Sequence, residues 1–170
     1  MAEALSIATV SLEGGGRLGI CRLPGLSGDL ASDVRAIVDW KPRIVVSMTE
    51  QAEMDRYGGG NLATLLAGAS IKWRHLPIRD YGEPQGASQD AWPKLAAHLH
   101  EVLDEAGAVL LHCRGGLGRS GMIALRLLVE RGEDASSALA RLRTARPRAV
   151  ETDAQLAWAS AGSTNRWKLA

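Results

Sequence analysis

Along this chain, short apolar runs typical of buried strands alternate with longer segments in which apolar residues have the spacing of helices. Short β-prone runs cover residues 5–12, 17–21, 44–48, 71–76 and 108–112. The first two flank a Glu-Gly-Gly-Gly turn, which predicts a hairpin at the edge of a sheet. The runs at 44–48 and 108–112 are almost continuously apolar, which indicates parallel strands covered on both faces.

Helical spacing fills the intervals between these runs. The first helix is predicted to begin at Asp29 and to end before Pro42, with its inward face formed by Leu30, Val34, Ile37 and Val38. Two short helices follow, and Thr49 and Asn61 are their predicted N-caps. Together they connect the third apolar run to the fourth.

The second half of the chain is predicted to be mainly helical. An amphipathic helix ends at Gly107, and Pro93 is expected near its first turn. The helix after the last strand ends at Gly132, Asp134 caps the next one, and a last helix begins near Thr152. Strands that alternate with helices predict an α/β fold with a central, mostly parallel sheet and helices on both faces. We expect one domain over residues 1–170, with a weakly ordered tail beyond about residue 160.

Composition narrows the class of protein without naming its chemistry. A chain of 18.1 kDa that is 46% hydrophobic and 23% charged is typical of a globular domain. The net charge of +1 offers no general attraction to nucleic acid, and no apolar run is long enough to cross a membrane. Cys21 and Cys113 do not form a disulfide framework, so we expect a reducing, cytoplasmic setting. The oligomeric state is left open.

The decapeptide His-Cys-Arg-Gly-Gly-Leu-Gly-Arg-Ser-Gly at residues 112–121 concentrates the reactive groups of the chain. It lies between a predicted strand and a predicted helix, where the first amides of the helix and its partial positive charge attract anions. Glycines let successive backbone N–H groups face inward, and Arg119 can hold two phosphate oxygens. We call residues 113–119 the anion cradle. Its expected substrate contacts are His112, Arg114, Gly115, Gly116, Leu117, Gly118 and Arg119.

Within this cradle the sequence predicts a nucleophile. The helix N-terminus and nearby cations favour the thiolate form of Cys113. Ser120 is placed to donate a hydrogen bond to that sulfur, and His112 is expected to orient the loop rather than to act as a base. A buried cysteine or histidine is more often a packing residue, but the combination of all these groups in a strand–loop–helix context favours the functional interpretation.

The decapeptide resembles the phosphate-binding signature of cysteine-dependent protein tyrosine phosphatases, His-Cys-x-x-Gly-x-x-Arg-Ser-Gly. The short chain and the absence of a Trp-Pro-Asp triplet make it more similar to the dual-specificity branch, in particular to the cyclin-dependent kinase-associated type and its bacterial relatives. The likeness runs from the glycine hairpin to residues 146–155. It implies a hydrolase that works without metal or cofactor through a phosphocysteine intermediate on a phosphorylated protein.

Phosphate transfer to sulfur requires a proton donor for the leaving oxygen. Asp80, in a loop rich in Pro and Gly, is the predicted general acid and matches the family's acid loop. Glu83 and Asp90 are its rivals, and a solvated turn residue is the alternative explanation of Asp80.

Gln155 is a candidate for positioning the hydrolytic water, because residues 149–155 resemble the family's glutamine loop. Thr152-x-x-Gln155 is equally a capping box, in which Gln155 would bind the start of its own helix. Arg148 stands where relatives often carry glycine, so the path of this loop departs from the family's pattern.

The choice of substrate is the least determined part of the prediction. Arg114 and Arg79 are either solvated cations or a rim that favours acidic groups beside the phosphate. Phosphotyrosine is the expected substrate, with phosphoserine and phosphothreonine also open. The alternatives are a phosphoinositide phosphatase, a sulfurtransferase or arsenate reductase, and a non-catalytic phosphate-binding module.

Overall fold

The computed structural model describes residues 3–163 as an α/β fold, which confirms the predicted fold class. Five strands form one sheet in the order β1-β2-β5-β3-β4. The strands are β1 (Ala8–Ser11), β2 (Arg17–Cys21), β3 (Ile44–Ser47), β4 (Lys72–His75) and β5 (Ala108–His112). Only β1, the edge strand of the predicted hairpin, runs antiparallel to its neighbour.

Seven helices connect and cover these strands. They are α1 (Leu30–Trp40), α2 (Gln51–Arg56), α3 (Leu62–Gly68), α4 (Gly86–Asp104), α5 (Gly118–Glu130), α6 (Ala135–Ala145) and α7 (Asp153–Ser160). One apolar cluster joins the sheet to α4 through α7, and a second joins its other face to α1 through α3. Of the predicted weakly ordered tail, residues 164–170 lie outside the described part of the chain.

The central strand β5 is covered so completely that its five residues are all buried, and so are all thirteen residues of α5. Parallel neighbours on both sides place His112, at the carboxyl end of β5, level with Cys21 of β2 and Ser47 of β3. Ligands of open α/β sheets bind at such carboxyl ends. The loop from β5 into α5 therefore occupies the middle of the ligand-binding edge of the sheet.

Three local predictions were wrong. Val38 is 41% exposed, because the buried stripe of α1 runs through Val34 and Ile37 and the next residue is turned about 100° away from it. Thr49 is fully buried at the end of β3, and the N-cap of α2 is Glu50. Helix α4 begins at Gly86, so that Pro93 lies in its interior. Pro93 is on the exposed face, where water can solvate the carbonyl group that its missing N–H leaves unpaired.

Candidate active site

The nucleophile candidate lies directly beyond the central strand. Cys113 is 3% exposed, and its Sγ lies 3.2 Å from the hydroxyl oxygen of Ser120 in the first turn of α5. Leu117 is the N-cap of this 13-residue helix, so the unpaired amides of Gly118 and its successors begin at the cradle. The strand, the loop and the helix thus bring the Cys113 sulfur, the Ser120 hydroxyl and the N-terminus of α5 together. This is the arrangement expected of an anion site that contains a thiol.

Two of the cradle glycines lie close against neighbouring residues. Gly116 has φ +70°, and a Cβ there would lie 2.6 Å from the carbonyl group of Cys21 on the adjacent strand. A Cβ on Gly118 would lie 2.4 Å from a carboxylate oxygen of Glu151 and 3.1 Å from Oε1 of Gln155. Gly116 is therefore required by both its positive φ and the backbone of β2, whereas a side chain at position 118 would have to displace the ends of the Glu151 and Gln155 side chains.

Arg119 is the most constrained charged residue of the site. It is 2% exposed, and its Nη1 and Nη2 donate to the two carboxylate oxygens of Glu53, at 2.7 Å and 2.9 Å. Nη1 also donates to the carbonyl oxygen of Ile78 at 2.9 Å. Burial opposes the charge of Arg119, yet the hydrogen bond to Glu53 keeps the pKa of the guanidinium raised. The arginine is held as a permanent cation with a fixed orientation.

Glu53 is the functional residue that the sequence did not reveal. It lies on α2, and burial alone would raise its pKa, but the hydrogen bonds from Arg119 and from the backbone of Glu50 hold that pKa below its ordinary value. The Glu50 N–H donates to Oε2 of Glu53 at 2.8 Å. The sequence of this short, mostly exposed helix does not distinguish Glu53 from a solvent-exposed glutamate. Only the requirement of a buried arginine for a carboxylate partner indicates its role.

The structure brings Asp80 to the cradle from a separate loop. One of its carboxylate oxygens lies 3.3 Å from Nη2 of Arg119, and the other accepts from Nη2 of Arg114 at 2.7 Å. Among the described residues, the rivals Glu83 and Asp90 make no ion pair or hydrogen bond with a cradle residue. Asp80 is therefore the carboxylate that can reach a group bound at Arg119.

Arg114 forms the rim of the site, where it is partly exposed. Its guanidinium lies 5.3 Å from the ring centroid of Tyr57, and the guanidinium of Arg56 lies at the same distance from that ring. Arg79 is exposed beside the acid loop. Cations stacked on an aromatic ring at the mouth give the entrance a positive character.

His112 orients the loop through a chain of hydrogen bonds. Trp73 Nε1 donates to the hydroxyl oxygen of Ser47 at 2.8 Å. Because the Cys113 carbonyl can only accept, Nδ1 of the neutral His112 ring carries the proton, and Nε2 accepts from the Ser47 hydroxyl. Nδ1 of His112 then donates to the Cys113 carbonyl oxygen at 3.2 Å. Burial lowers the pKa of His112 to about 4, so the ring is neutral and serves as a spacer between β3 and the cradle.

Gln155 forms the capping box that its spacing predicted. Its Oε1 accepts from the N–H groups of Glu151 and Thr152, and the Thr152 hydroxyl accepts from the N–H of Gln155. Its Nε2 donates to the carbonyl of Gly82, two residues beyond Asp80. Gln155 thus ties the start of α7 to the acid loop. Arg148 adopts φ +67°, a left-handed conformation that favours glycine.

Cys21, the second cysteine of the chain, is a packing residue. Cys21 is buried in the second apolar cluster, and burial raises the pKa of its thiol. Between residues 3 and 163, no three His, Cys, Asp or Glu side chains are grouped as metal ligands. None of the helices in that range is long and apolar enough to cross a membrane.

A family model described as "Swiss Army Knife protein, DSP-PTPase phosphatase domain" matches residues 22–158. Cyclin-dependent kinase inhibitor 3 of Mus musculus is 31% identical over 116 residues, which cover 65% of this chain and 54% of that protein. The Homo sapiens protein is 30% identical over 117 residues, which cover 66% and 54%. The chain spans about half the length of these curated relatives.

Solved structures show the same likeness over almost the whole chain. A kinase-associated phosphatase whose catalytic-site cysteine is replaced by serine superposes with a TM-score of 0.81 at 26% identity, over 92% of this chain and 93% of that one. Tk-PTP in its active form superposes with a TM-score of 0.68 at 26% identity, over 89% and 92%.

Proposed function

The chain belongs to the DSP-PTPase family of phosphatase domains, and from that premise we propose that it hydrolyses phosphotyrosine in proteins through a phosphocysteine intermediate. The kinase-associated phosphatase that it resembles has a cysteine in its catalytic site, which supports the same role for Cys113. The observation that carries the proposal is the contact of 3.3 Å between Asp80 and Arg119. It is the contact expected of a general acid that one loop carries beside an anion site on another.

In the first step the Cys113 thiolate attacks phosphorus. Arg119 and the inward amides of the cradle hold the non-bridging oxygens, where negative charge is spread in the transition state. The bond from phosphorus to the tyrosine oxygen breaks, and that oxygen takes a proton from Asp80. The protein side chain leaves as neutral tyrosine, and the phosphoryl group stays on sulfur.

In the second step water attacks the same phosphorus and Asp80 takes a proton from it. The sulfur leaves as a thiolate, and the Ser120 hydroxyl, 3.2 Å away, donates a hydrogen bond that stabilises it. Inorganic phosphate then departs and the cycle closes without any other reactant. We include Gln155 in this step as the candidate that positions the water, because Oε1 lies close to the place of a Cβ on Gly118.

Substrate entry requires Asp80 to change partners. In the described structure its carboxylate binds Arg119 and Arg114, the groups that would otherwise meet phosphate oxygens. An arriving phosphate dianion carries more charge and competes for Arg119. Asp80 is then free to take up a proton and turn toward the leaving oxygen.

The rim favours one second substrate class, the phosphoinositides. Arg56 and Arg114 stack on Tyr57 at the mouth, and such cations would also bind additional phosphate groups of an inositol ring. A flat phosphotyrosine ring and an inositol ring differ in shape and charge, so a panel of substrates separates them.

The test is hydrolysis of p-nitrophenyl phosphate, a phosphotyrosine peptide, a phosphoserine peptide and phosphoinositide vesicles in the presence of chelator. The wild-type chain is expected to be most active on the phosphotyrosine peptide, and Cys113→Ser to be inactive on all four. Cys21→Ala, which removes the other sulfur from a packing position, is the matched control and is expected to stay active. Equal activity of Cys113→Ser and wild type would rule out the covalent mechanism.

The role of Gln155 requires its own pair of variants, because it also forms the capping box. Thr152→Ala removes the hydroxyl half of the capping box and keeps the side-chain amide of Gln155. Gln155→Ala removes that amide, and with it both the other half of the box and the group that would position water. If Gln155 positions water, only Gln155→Ala should slow the second step, seen as accumulation of phosphoenzyme after a burst. Equal effects of the two variants would assign Gln155 to the box alone.

A further inference from the structure

The carbonyl groups of six successive residues, 112–117, all accept hydrogen bonds from donors outside the anion site. The donors are Met48 N to His112 O at 3.0 Å, His112 Nδ1 to Cys113 O at 3.2 Å, Leu23 N to Arg114 O at 3.0 Å, Arg146 Nη2 to Gly115 O at 2.9 Å, Arg146 Nε to Gly116 O at 2.8 Å, and Val150 N to Leu117 O at 3.1 Å. In a trans peptide the N–H points opposite to the C=O. Holding the carbonyls of residues 113–117 by these donors therefore favours the orientation in which the N–H groups that follow them face the anion site.

The peptides after Gly115 and Gly116 differ from the rest of this series. Four of the carbonyls are held by backbone N–H groups or by the ring of the neighbouring histidine. Within residues 3–163, these two accept only from the side chain of Arg146. Glycine adopts positive and negative φ with similar ease, so peptides beside glycine reorient at little cost. A reoriented peptide would turn a carbonyl oxygen toward the bound phosphate and the sulfur, where it repels both.

Arg146 is itself well anchored for this purpose. It is the C-cap of α6, with an extended backbone, and its N–H donates to the carbonyl of Leu142 at 2.8 Å. Its two donors are fixed in one planar guanidinium group and engage two successive carbonyls at once. No carboxylate of the described residues pairs with it, so its positive charge remains available to the cradle.

We propose that Arg146 is a positioning residue of the anion cradle, which holds the peptides after Gly115 and Gly116 so that the N–H groups of Gly116 and Leu117 face the phosphate. The kinetic part of this inference rests on the proposed function, while the part that concerns anion binding does not. Arg146 acts from the C-terminal end of α6.

Two variants of Arg146 separate its charge from its planar fork. Arg146→Ala removes both, and Arg146→Lys keeps the charge but offers a single point donor that does not span two carbonyls. Arg141→Ala is the matched control: Arg141 lies on the same helix and donates to the carbonyl of Ser11 at 2.9 Å, far along the chain from the cradle. The affinity for inorganic phosphate is measured by calorimetry, and kcat and KM are measured on p-nitrophenyl phosphate.

Both Arg146 variants are expected to bind phosphate and to turn over substrate about 10- to 100-fold less well, the scale known for residues that orient direct ligands. Millimolar guanidinium should restore part of the loss in Arg146→Ala, because the free ion can occupy the vacated fork. Arg141→Ala should match wild type within about twofold, as expected for a surface position. If Arg146→Ala does not fold, the lysine variant carries the comparison by itself.

Three results are decisive. Wild-type phosphate affinity and turnover in a folded Arg146 variant would overturn the inference, and so would a lowered melting temperature with unchanged phosphate affinity, since that is a structural role only. A wild-type chain that hydrolyses none of the substrates, but loses phosphate affinity in both Arg146 variants, would refute the proposed function and uphold this inference.

Discussion

The carboxylate of Glu53 offers the most informative single change in the site. Glu53→Gln replaces one of the two oxygens that accept from Arg119 with an NH₂ group, which cannot accept, and removes the negative charge. The remaining oxygen can still accept from the N–H of Glu50. The change therefore removes one charge-assisted hydrogen bond from a guanidinium that is 2% exposed, without deleting volume.

The size of the effect follows from that one bond. A hydrogen bond to a charged group contributes about 1.5–3 kcal/mol, and about 1.4 kcal/mol corresponds to a factor of ten in rate. If the bond serves to orient Arg119 for the transition state, kcat/KM falls on the order of 10- to 100-fold. Part of the loss should appear as a higher KM, because Arg119 without Glu53 binds the competing carboxylate of Asp80 more strongly.

The assay is kcat/KM on p-nitrophenyl phosphate, with urea unfolding to confirm that the variant is folded. Asp55→Asn, the same chemical change on an exposed aspartate of α2, is the control and should lie within about twofold of wild type. A folded Glu53→Gln variant with the kcat/KM of wild type would show that Ile78 and the cradle alone orient Arg119, and the reasoning above would be refuted.

Three further predictions concern the acid, a glycine and a histidine. Asp80→Asn should lower turnover of a phosphotyrosine peptide on the order of 100-fold and leave peptide binding near wild type, measured by single-turnover kinetics; unchanged turnover would assign the acid elsewhere. Gly116→Ala should destabilise the chain by about 1–3 kcal/mol in urea unfolding, because its Cβ meets the Cys21 carbonyl at positive φ, whereas Gly115→Ala, with nothing within 4 Å, should cost clearly less. Burial lowers the pKa of His112 from 6.5 to about 4, so the unfolded chain binds a proton over this interval and the folded chain does not. The free energy of unfolding should therefore decline as the pH falls from 6.5 to 4, by about 3 kcal/mol from this group. His112→Asn should lack that decline. Denaturant titrations at several pH values would contradict the prediction if wild type and variant lost stability equally with falling pH.

The fold could be predicted from the sequence where burial leaves a pattern. The apolar runs that form β3 and β5 show no alternation of apolar and polar residues. Gly132 follows the end of α5 and Asp134 caps the start of α6, as expected. The exact face of α1 could not be predicted, because Val38 satisfies the same helical spacing as its buried neighbours and only the shape of the sheet decides which stripe is covered. The start of α4 was missed because its first residues carry no apolar periodicity.

The site likewise contains residues that a local sequence pattern predicts and residues that it does not. Cys113 and Ser120 are close in sequence, so a local pattern is enough to pair them, and their contact of 3.2 Å follows from strand, loop and helix. Glu53 and Arg146 reach the cradle only through the tertiary fold, 66 and 30 residues away from their partners Arg119 and Gly116. In sequence, one is a glutamate on a polar helix and the other an arginine before a proline, and both patterns are common on protein surfaces.

Helix α5 bears on how variation among relatives should be interpreted. All its residues from Gly118 to Glu130 are buried, although only its first turn lies at the anion cradle. Near its other end, Glu130 accepts from Trp92 and His100 inside the core. Invariance along this helix would therefore record packing as much as chemistry. A library of substitutions scored for cellular abundance as well as turnover would separate the two. Substitutions at Met122 or Leu125 should lower both, whereas Ser120→Ala, which removes the hydroxyl without adding volume, should lower turnover at normal abundance.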